Sequence, residues 1–185
     1  TFDLNVMGTI KVLSACAEAG VRKAVVKSSM EVYGARPDNS AFLTEEQALR
    51  GQGRAGDLRD LVEIEAFCNG FQRQAPGVAL TVLRFPSIIG PTADTPMSRF
   101  LRQAAAPVLL GFDPMMQVIH EDDVVGALAH AVTHETPGVF NIAAEGVMPL
   151  SQIMALASKC AFPVFHLFAY WGANLLGGSG LPMDR

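Results

Sequence analysis

Two adjacent serines close an apolar, β-branched run, Val25-Val26-Lys27-Ser28-Ser29, and are followed by Met30-Glu31-Val32-Tyr33-Gly34. Ser29 is placed to donate a hydrogen bond to a substrate or cofactor carbonyl, or simply to end the strand. Tyr33 either stacks on a substrate ring or packs its Val-Tyr-Gly turn. Asp57 serves as a base or, opening a helix, caps it through its carboxylate. His120-Glu121-Asp122-Asp123, and the pair His130 and His134 four apart on one helix face, are metal-ligating types. Neither has the ligand count or partner spacing of a zinc site. Asp122 and Asp123 instead suit the first turn of a helix, where backbone N–H groups attract negative charge. Met115-Met116 and the run Phe162, Phe165, Phe168 and Trp171 could line an apolar pocket, but core packing or a contact surface is the preferred reading.

The elements that must position these groups follow from periodicity. Residues 5–19 carry Val6, Ile10, Leu13 and Ala17 at intervals of three or four and stop at Gly20, which predicts a helix with a glycine C-cap. Residues 21–28 predict a strand. The polar stretch 35–56 predicts an excursion over the sheet edge, with at most one helical turn over 44–49 that Thr44 could cap. Residues 57–74 predict a helix stopped by Pro76-Gly77, 78–85 a strand, and 86–95 a loop. Beyond them come a short helix near 97–105, a strand at 107–112, a helix over 124–133 led in by 116–120, a strand at 138–143 and a helix over 150–159 capped by Ser151 or a neighbour. Helices alternate with short apolar strands and no segment repeats, so the fold class is α/β with an open parallel sheet. A dinucleotide fold needs a glycine-rich turn between its first strand and first helix. Gly51-Gln52-Gly53 lies in a polar loop with no strand before it.

A chain of 185 residues, half of them apolar, can bury a substantial core. A net charge of -4 with no basic cluster leaves no electrostatic footprint for nucleic acid. Cys16, Cys68 and Cys160 are widely spaced in apolar contexts, as expected of reduced thiols in a cytoplasmic protein. Residues 161–176 are apolar and aromatic but hold His166 and Asn174 and break at Gly177-Gly178, so they predict a buried or interface helix rather than a membrane span. The chain has no basic-then-apolar leader, starts without Met, and opens in a helical pattern. It reads as a piece of a longer protein.

Four segments in order carry a resemblance: Asn5-Val6-Met7-Gly8-Thr9, Arg22 to Gly34, Leu83-Arg84-Phe85-Pro86-Ser87-Ile88-Ile89-Gly90-Pro91, and Val118-Ile119-His120-Glu121-Asp122-Asp123-Val124. Together they resemble the extended short-chain dehydrogenases/reductases, the NAD-dependent epimerase/dehydratase family, and look closest to its atypical members. The resemblance implies the C-terminal part of a Rossmann-like doubly wound parallel sheet plus part of a small α/β substrate domain. Residues 1–95 would be the partial NAD(P)-binding domain and 96–185 the partial substrate region, with 113–135 returning to the Rossmann core. The family phosphate loop would precede Thr1.

By the same resemblance Ser29 stands at the catalytic Ser/Thr position, and Asn5, Ser28, Phe85, Pro86 and Ser87 at cofactor-binding positions. The family's proton-transfer Tyr and its Lys, four residues on, fall at Asp57 and Leu61, with Glu65 at the acidic position that follows. That chemistry needs a phenol whose pKa is lowered by a nearby ammonium, which also holds the ribose hydroxyls. Tyr33 and Tyr170 are the only tyrosines and have Pro37 and Asn174 four positions on. The family Asn after Arg84 is Ser87, and the basic residue that commonly holds the sugar-nucleotide diphosphate falls at Met115 or Met116. The resemblance therefore implies a nucleotide-sugar epimerase or dehydratase scaffold using NAD or NADP without its Tyr/Lys pair. The alternative is a catalytically inactive cofactor-sensing or scaffold protein. Expected partners are a small-molecule substrate and a second copy of the chain, paired through residues 5–19 and 57–74, with neither nucleic acid nor membrane.

Overall fold

The computed structural model of the chain describes residues 3–40, 42–51 and 56–165. Contacts divide the chain into two units, Thr1–Pro86 with Asp123–Ile142, and Ser87–Asp122 with Ala143–Arg185.

In the first unit a π-helical turn, Asp3–Met7, runs into α1, Gly8–Glu18. Gly20 ends α1 at φ +69°, with its N–H donating to Ala17 O and that of Val21 to Cys16 O. This paired closure needs a left-handed residue at the helix exit, and glycine adopts one without strain. β1, Lys23–Ser29, pairs in parallel with β2, Ala79–Phe85, and β2 in turn with β7, Gly138–Asn141. α2, Gly56–Gln74, lies between β1 and β2 in the chain.

Strand alternation decides what each face carries. Leu80 and Val82 of β2 join Val6, Leu13, Ile64, Cys68, Phe71 and Val78 in one buried cluster, with Ala24 and Val26 of β1 and Val139 of β7 packed against it. The same pairing rows continue to the C-terminal strand ends as Ser28, Arg84 and Asn141. An apolar face against two helices thus turns polar at the end of the sheet where α/β folds place their sites.

In the second unit β3, Ser87–Ile89, pairs in parallel with β6, Val118–His120. α3, Pro96–Arg102, has Pro96 in its first turn and Thr95 as cap, whose Oγ1 accepts the Ser98 N–H at 3.1 Å. β4, Ala105–Leu109, pairs in parallel with β9, Cys160–Val164, and β5, Met115–Met116, antiparallel with β8, Met148–Pro149. α5 is Leu150–Leu156. α4, Glu121–Thr133, starts in this unit and runs into the first.

Four sequence expectations differ from this. The expected loop over 86–95 contains β3, because the short β-branched run Ser-Ile-Ile finds a partner in β6. Residues 44–49 form a turn, not a helix: the Glu45 side chain is held by the Asn141 N–H at 2.8 Å, and its carbonyl accepts from Arg84. Ser151 does not cap α5. Its N–H and hydroxyl both donate to Asp113, at 2.9 and 2.5 Å, which holds the Asp113 carboxyl below the usual carboxylate range, and Pro149 takes the cap position. The apolar stretch expected as a buried helix from 161 begins as the strand β9, with Phe162 and Phe165 exposed; Pro163 within it suits an edge position. Residues from 166 onward, including Phe168, Tyr170 and Trp171, lie outside the described residues. Among the described residues no helix is long and apolar enough to cross a membrane.

The turn after β1 tests this account. Gly34 sits at φ +72°, and a Cβ there would meet Arg50 O at 2.7 Å. Gly34→Ala is expected to destabilise the protein by at least about 1 kcal/mol, seen as a lower urea midpoint at unchanged slope.

Candidate functional site

The polar row at the strand ends is closed by one residue of α2. Glu65, 2% exposed, receives Arg84 Nε at 2.9 Å and Nη2 at 2.5 Å on Oε2, and Nε again at 3.1 Å on Oε1. Ser28 Oγ donates to Glu65 Oε1 at 2.5 Å. The remaining guanidinium nitrogen, Arg84 Nη1, donates to Tyr33 Oη at 2.6 Å and Glu45 O at 3.2 Å. Tyr33 Oη donates in turn to Asn141 Oδ1 at 2.7 Å, and Asn141 Nδ2 to Leu43 O at 3.0 Å. Burial, the largest influence on Arg84, works against its charge, but the hydrogen bonds and charge of Glu65 and then Tyr33 outweigh it and raise its pKa. Among the described residues no buried side-chain polar atom lacks a partner. A network so fully satisfied is a frame, not a proton relay.

This answers two of the open readings. Tyr33 is 1% exposed, with the Arg84 guanidinium carbon 5.0 Å from its ring centroid, so it packs the turn and cannot stack on a substrate. Ser28 is 2% exposed and its hydroxyl is committed to Glu65. Ser29, next along the strand, takes the other side by alternation. Its oxygen accepts the Glu31 N–H at 3.2 Å, capping the short 3₁₀ turn Met30–Tyr33, which leaves the hydroxyl proton available to donate. Burial pushes the Cys68 thiol up to about 11, with the Glu65 charge adding to it, so Cys68 is an inert core thiol.

Beside this frame lies a cleft of about 330 Å³ lined by Asn5, Thr9, Lys27, Asp60, Leu61 and Ile64. Asp60 is 4% exposed, and Asn5 Nδ2 reaches its Oδ2 at a long 3.5 Å. Thr9 Oγ1 donates to Asn5 O at 2.6 Å, tying the π-helical turn to α1. Leu61 stands on the cleft wall where the resemblance expects an ammonium. Asp57 lies in the first turn of α2, and its side chain lies outside the described residues. Phe85 is 1% exposed at the end of β2, and the less buried Pro86 and Ser87 follow. The sequence carries the spacing G-x-G-x-x-G at Gly51, Gly53 and Gly56, the last being the first residue of α2. No strand leads into it: the Arg50 and Gly51 N–H groups both fold back to Val32 O, at 3.0 and 2.9 Å. A Cβ on Gly51 would press on Leu58 and Val62 at 3.0–3.1 Å, so this glycine serves close packing.

In the second unit the segment after β3 is pinned from two sides. Arg102 Nη2 donates to Pro91 O and Ala93 O, both at 2.9 Å, and Glu121 accepts the Thr92 N–H at 3.0 Å and its hydroxyl at 2.7 Å. These two bonds from Thr92 hold the Glu121 carboxyl below its ordinary range. Glu121 is thereby committed to Thr92, and among the described residues no group of three or more His, Cys, Asp or Glu could hold a metal ion.

A parallel sheet with helices in its connections and a polar site at its C-terminal strand ends defines an α/β protein of the Rossmann type. The profile of the NAD dependent epimerase/dehydratase family matches residues 1–143, and the chain belongs to that family. An uncharacterized protein of Mycobacterium bovis is 38% identical over 175 residues, which is 94% of this chain and 46% of that protein. Among solved structures, UDP-N-acetylglucosamine 4-epimerase from Methanobrevibacter ruminantium, in complex with UDP-N-acetylmuramic acid, has a TM-score of 0.74 at 18% identity over 88% of this chain and 56% of its own. The dTDP-glucose 4,6-dehydratase DesIV from Streptomyces venezuelae, with NAD bound, also scores 0.74 at 18% identity, over 89% and 54%. At that identity the likeness is one of fold. The chain spans about half the length of the curated relatives it matches.

The frame is testable without any ligand. Glu65→Gln leaves the Arg84 charge buried without its carboxylate and is expected to cost about 3–5 kcal/mol of stability. Replacing both residues by methionine is expected to cost clearly less than Glu65→Gln alone, as urea unfolding of the three proteins would show.

Proposed function

We propose that this chain forms part of an NAD(H)-binding protein that acts on a nucleotide-sugar, with proton transfer that does not pass through a Tyr/Lys pair. The observation that carries this reading is the cleft beside the Arg84–Glu65 frame. Its amide, hydroxyl and carboxylate groups, from Asn5, Thr9 and Asp60, suit a hydroxyl-rich ribose, and a carboxylate so enclosed disfavours a phosphate in the same space. Asn5 and Asp60 would hold the cofactor ribose, and the backbone at Ser28 with Phe85, Pro86 and Ser87 would flank the nicotinamide. When bound, the nicotinamide supplies hydride acceptance and return. Ser29 donates its hydroxyl proton to the reacting oxygen of the substrate and orients it, while its own oxygen accepts the Glu31 N–H.

A specific observation favours a second reading, a catalytically inactive cofactor-sensing or scaffold protein: an apolar Leu61 on the cleft wall removes the charge that would lower a catalytic pKa. In either reading the three free thiols support a cytoplasmic setting. The protein is a homodimer through α1 and α2, a pairing supported by the exposed apolar Leu4 and Val12 before and on α1; light scattering at tens of micromolar that gives a monomer mass would refute it.

Titrating NADH into the full-length protein while following nicotinamide fluorescence, together with an assay of sugar turnover, separates the two readings. Saturable binding is expected. Ser29→Ala is expected to keep that binding and to lower turnover of a UDP- or dTDP-sugar by about 100-fold. Binding without turnover of any such sugar by the unmutated protein would leave the scaffold reading, and no binding would end the NAD(H) proposal.

A further inference from the structure

His130 and His134 lie away from the polar site at the strand ends, at the C-terminal end of α4. Residues four apart on a helix stand one above the other, and His134 continues the last turn, its N–H donating to His130 O at 2.8 Å. The two exposed imidazoles stack, with ring centroids 4.0 Å apart and 14° between their planes. The hydrogen bonds around His134 decide which of its nitrogens can act as a ligand. Its Nδ1 lies 3.2 Å from His130 O and 3.0 Å from Thr133 Oγ1. A carbonyl only accepts, and the Thr133 hydroxyl proton goes to Ala129 O at 2.9 Å, so Nδ1 carries the proton and donates to both oxygens. Nε2 is left with its lone pair. A backbone carbonyl on the protonated nitrogen is the arrangement that fixes the tautomer and ring orientation of a metal-ligating histidine.

We propose that His130 and His134 form a two-histidine surface site for a divalent transition-metal ion, with water in the remaining positions. Metal–nitrogen bonds of about 2.0–2.1 Å set two ligating nitrogens roughly 3 Å apart. The stack already holds the rings within about 1 Å of that spacing, and rotation about the side-chain bonds turns the nitrogens toward one ion. Two protein ligands fall short of a structural zinc site but suffice for an open one. Imidazole donors select nickel, copper and zinc over magnesium and calcium, and among these Cu(II) is held most tightly. The negative end of the α4 dipole favours a cation here. Lys23 shares that end, its Nζ donating to Val132 O at 2.9 Å and His134 O at 2.7 Å, and its charge keeps the affinity modest.

The test is a calorimetric titration of Ni(II) into the full-length protein at pH 8, for the unmutated form and for His130→Gln and His134→Gln. The unmutated protein is expected to bind one equivalent that each variant binds about tenfold or more weakly. Ni(II) is also expected to raise the thermal midpoint of the unmutated protein and of neither variant, because the ion binds the folded pair. Without metal the three midpoints should agree, since both histidines are exposed. Either variant binding Ni(II) as tightly as the unmutated protein, or an unmutated protein that binds none, overturns the inference. Neither result bears on the NAD(H) reading, which concerns the other end of the sheet.

Discussion

The buried ion pair between Arg84 and Glu65 is the interaction on which the rest of the first unit depends. Two charges each 2% exposed would be costly apart, and their fork geometry with two further donors and acceptors compensates that cost. The pair is placed where four pieces of chain converge. Glu65 belongs to α2 and Arg84 to β2, while Ser28 brings in the end of β1 and Tyr33 links the following turn to Asn141 on β7. The strand ends and the helix wall are thus set by one electrostatic knot. Ser29 and the cleft inherit their positions from it.

The sequence was informative where periodicity is strong and quiet where pairing is long-range. The helix around residues 5–19, its glycine exit, and the strands of the main sheet follow from spacing alone, because a core face imposes its period on the residues that fill it. Glu65, Arg84, Ser28 and Tyr33 were each visible as residues of interest, yet nothing local says that they meet. That meeting requires the register that sets Ser28 beside Arg84 and Arg84 beside Asn141. Asn141, at the end of a four-residue strand, carried no signal of its own. The short strands of the second unit were the least legible, since β3, β6 and β8 run only two or three residues and are fixed by their partners.

The same contrast holds at the site. Loss of the expected cation at residue 61 is plain in the chain, but its physical meaning depends on what else faces the same space. Leu61 looks like an ordinary apolar position of α2 until the cleft shows it lining the same wall as Asn5, Thr9 and Asp60.

β1 has one further consequence. In the described sheet, ordered β1-β2-β7, it pairs on one side only, so a seven-residue ribbon presents a row of backbone donors and acceptors to whatever comes next to it. Such an open margin is a template for self-recruitment. Self-association along that margin would be a matter of backbone pairing, and a colloidal failure of this kind would say nothing about chemistry at the strand ends.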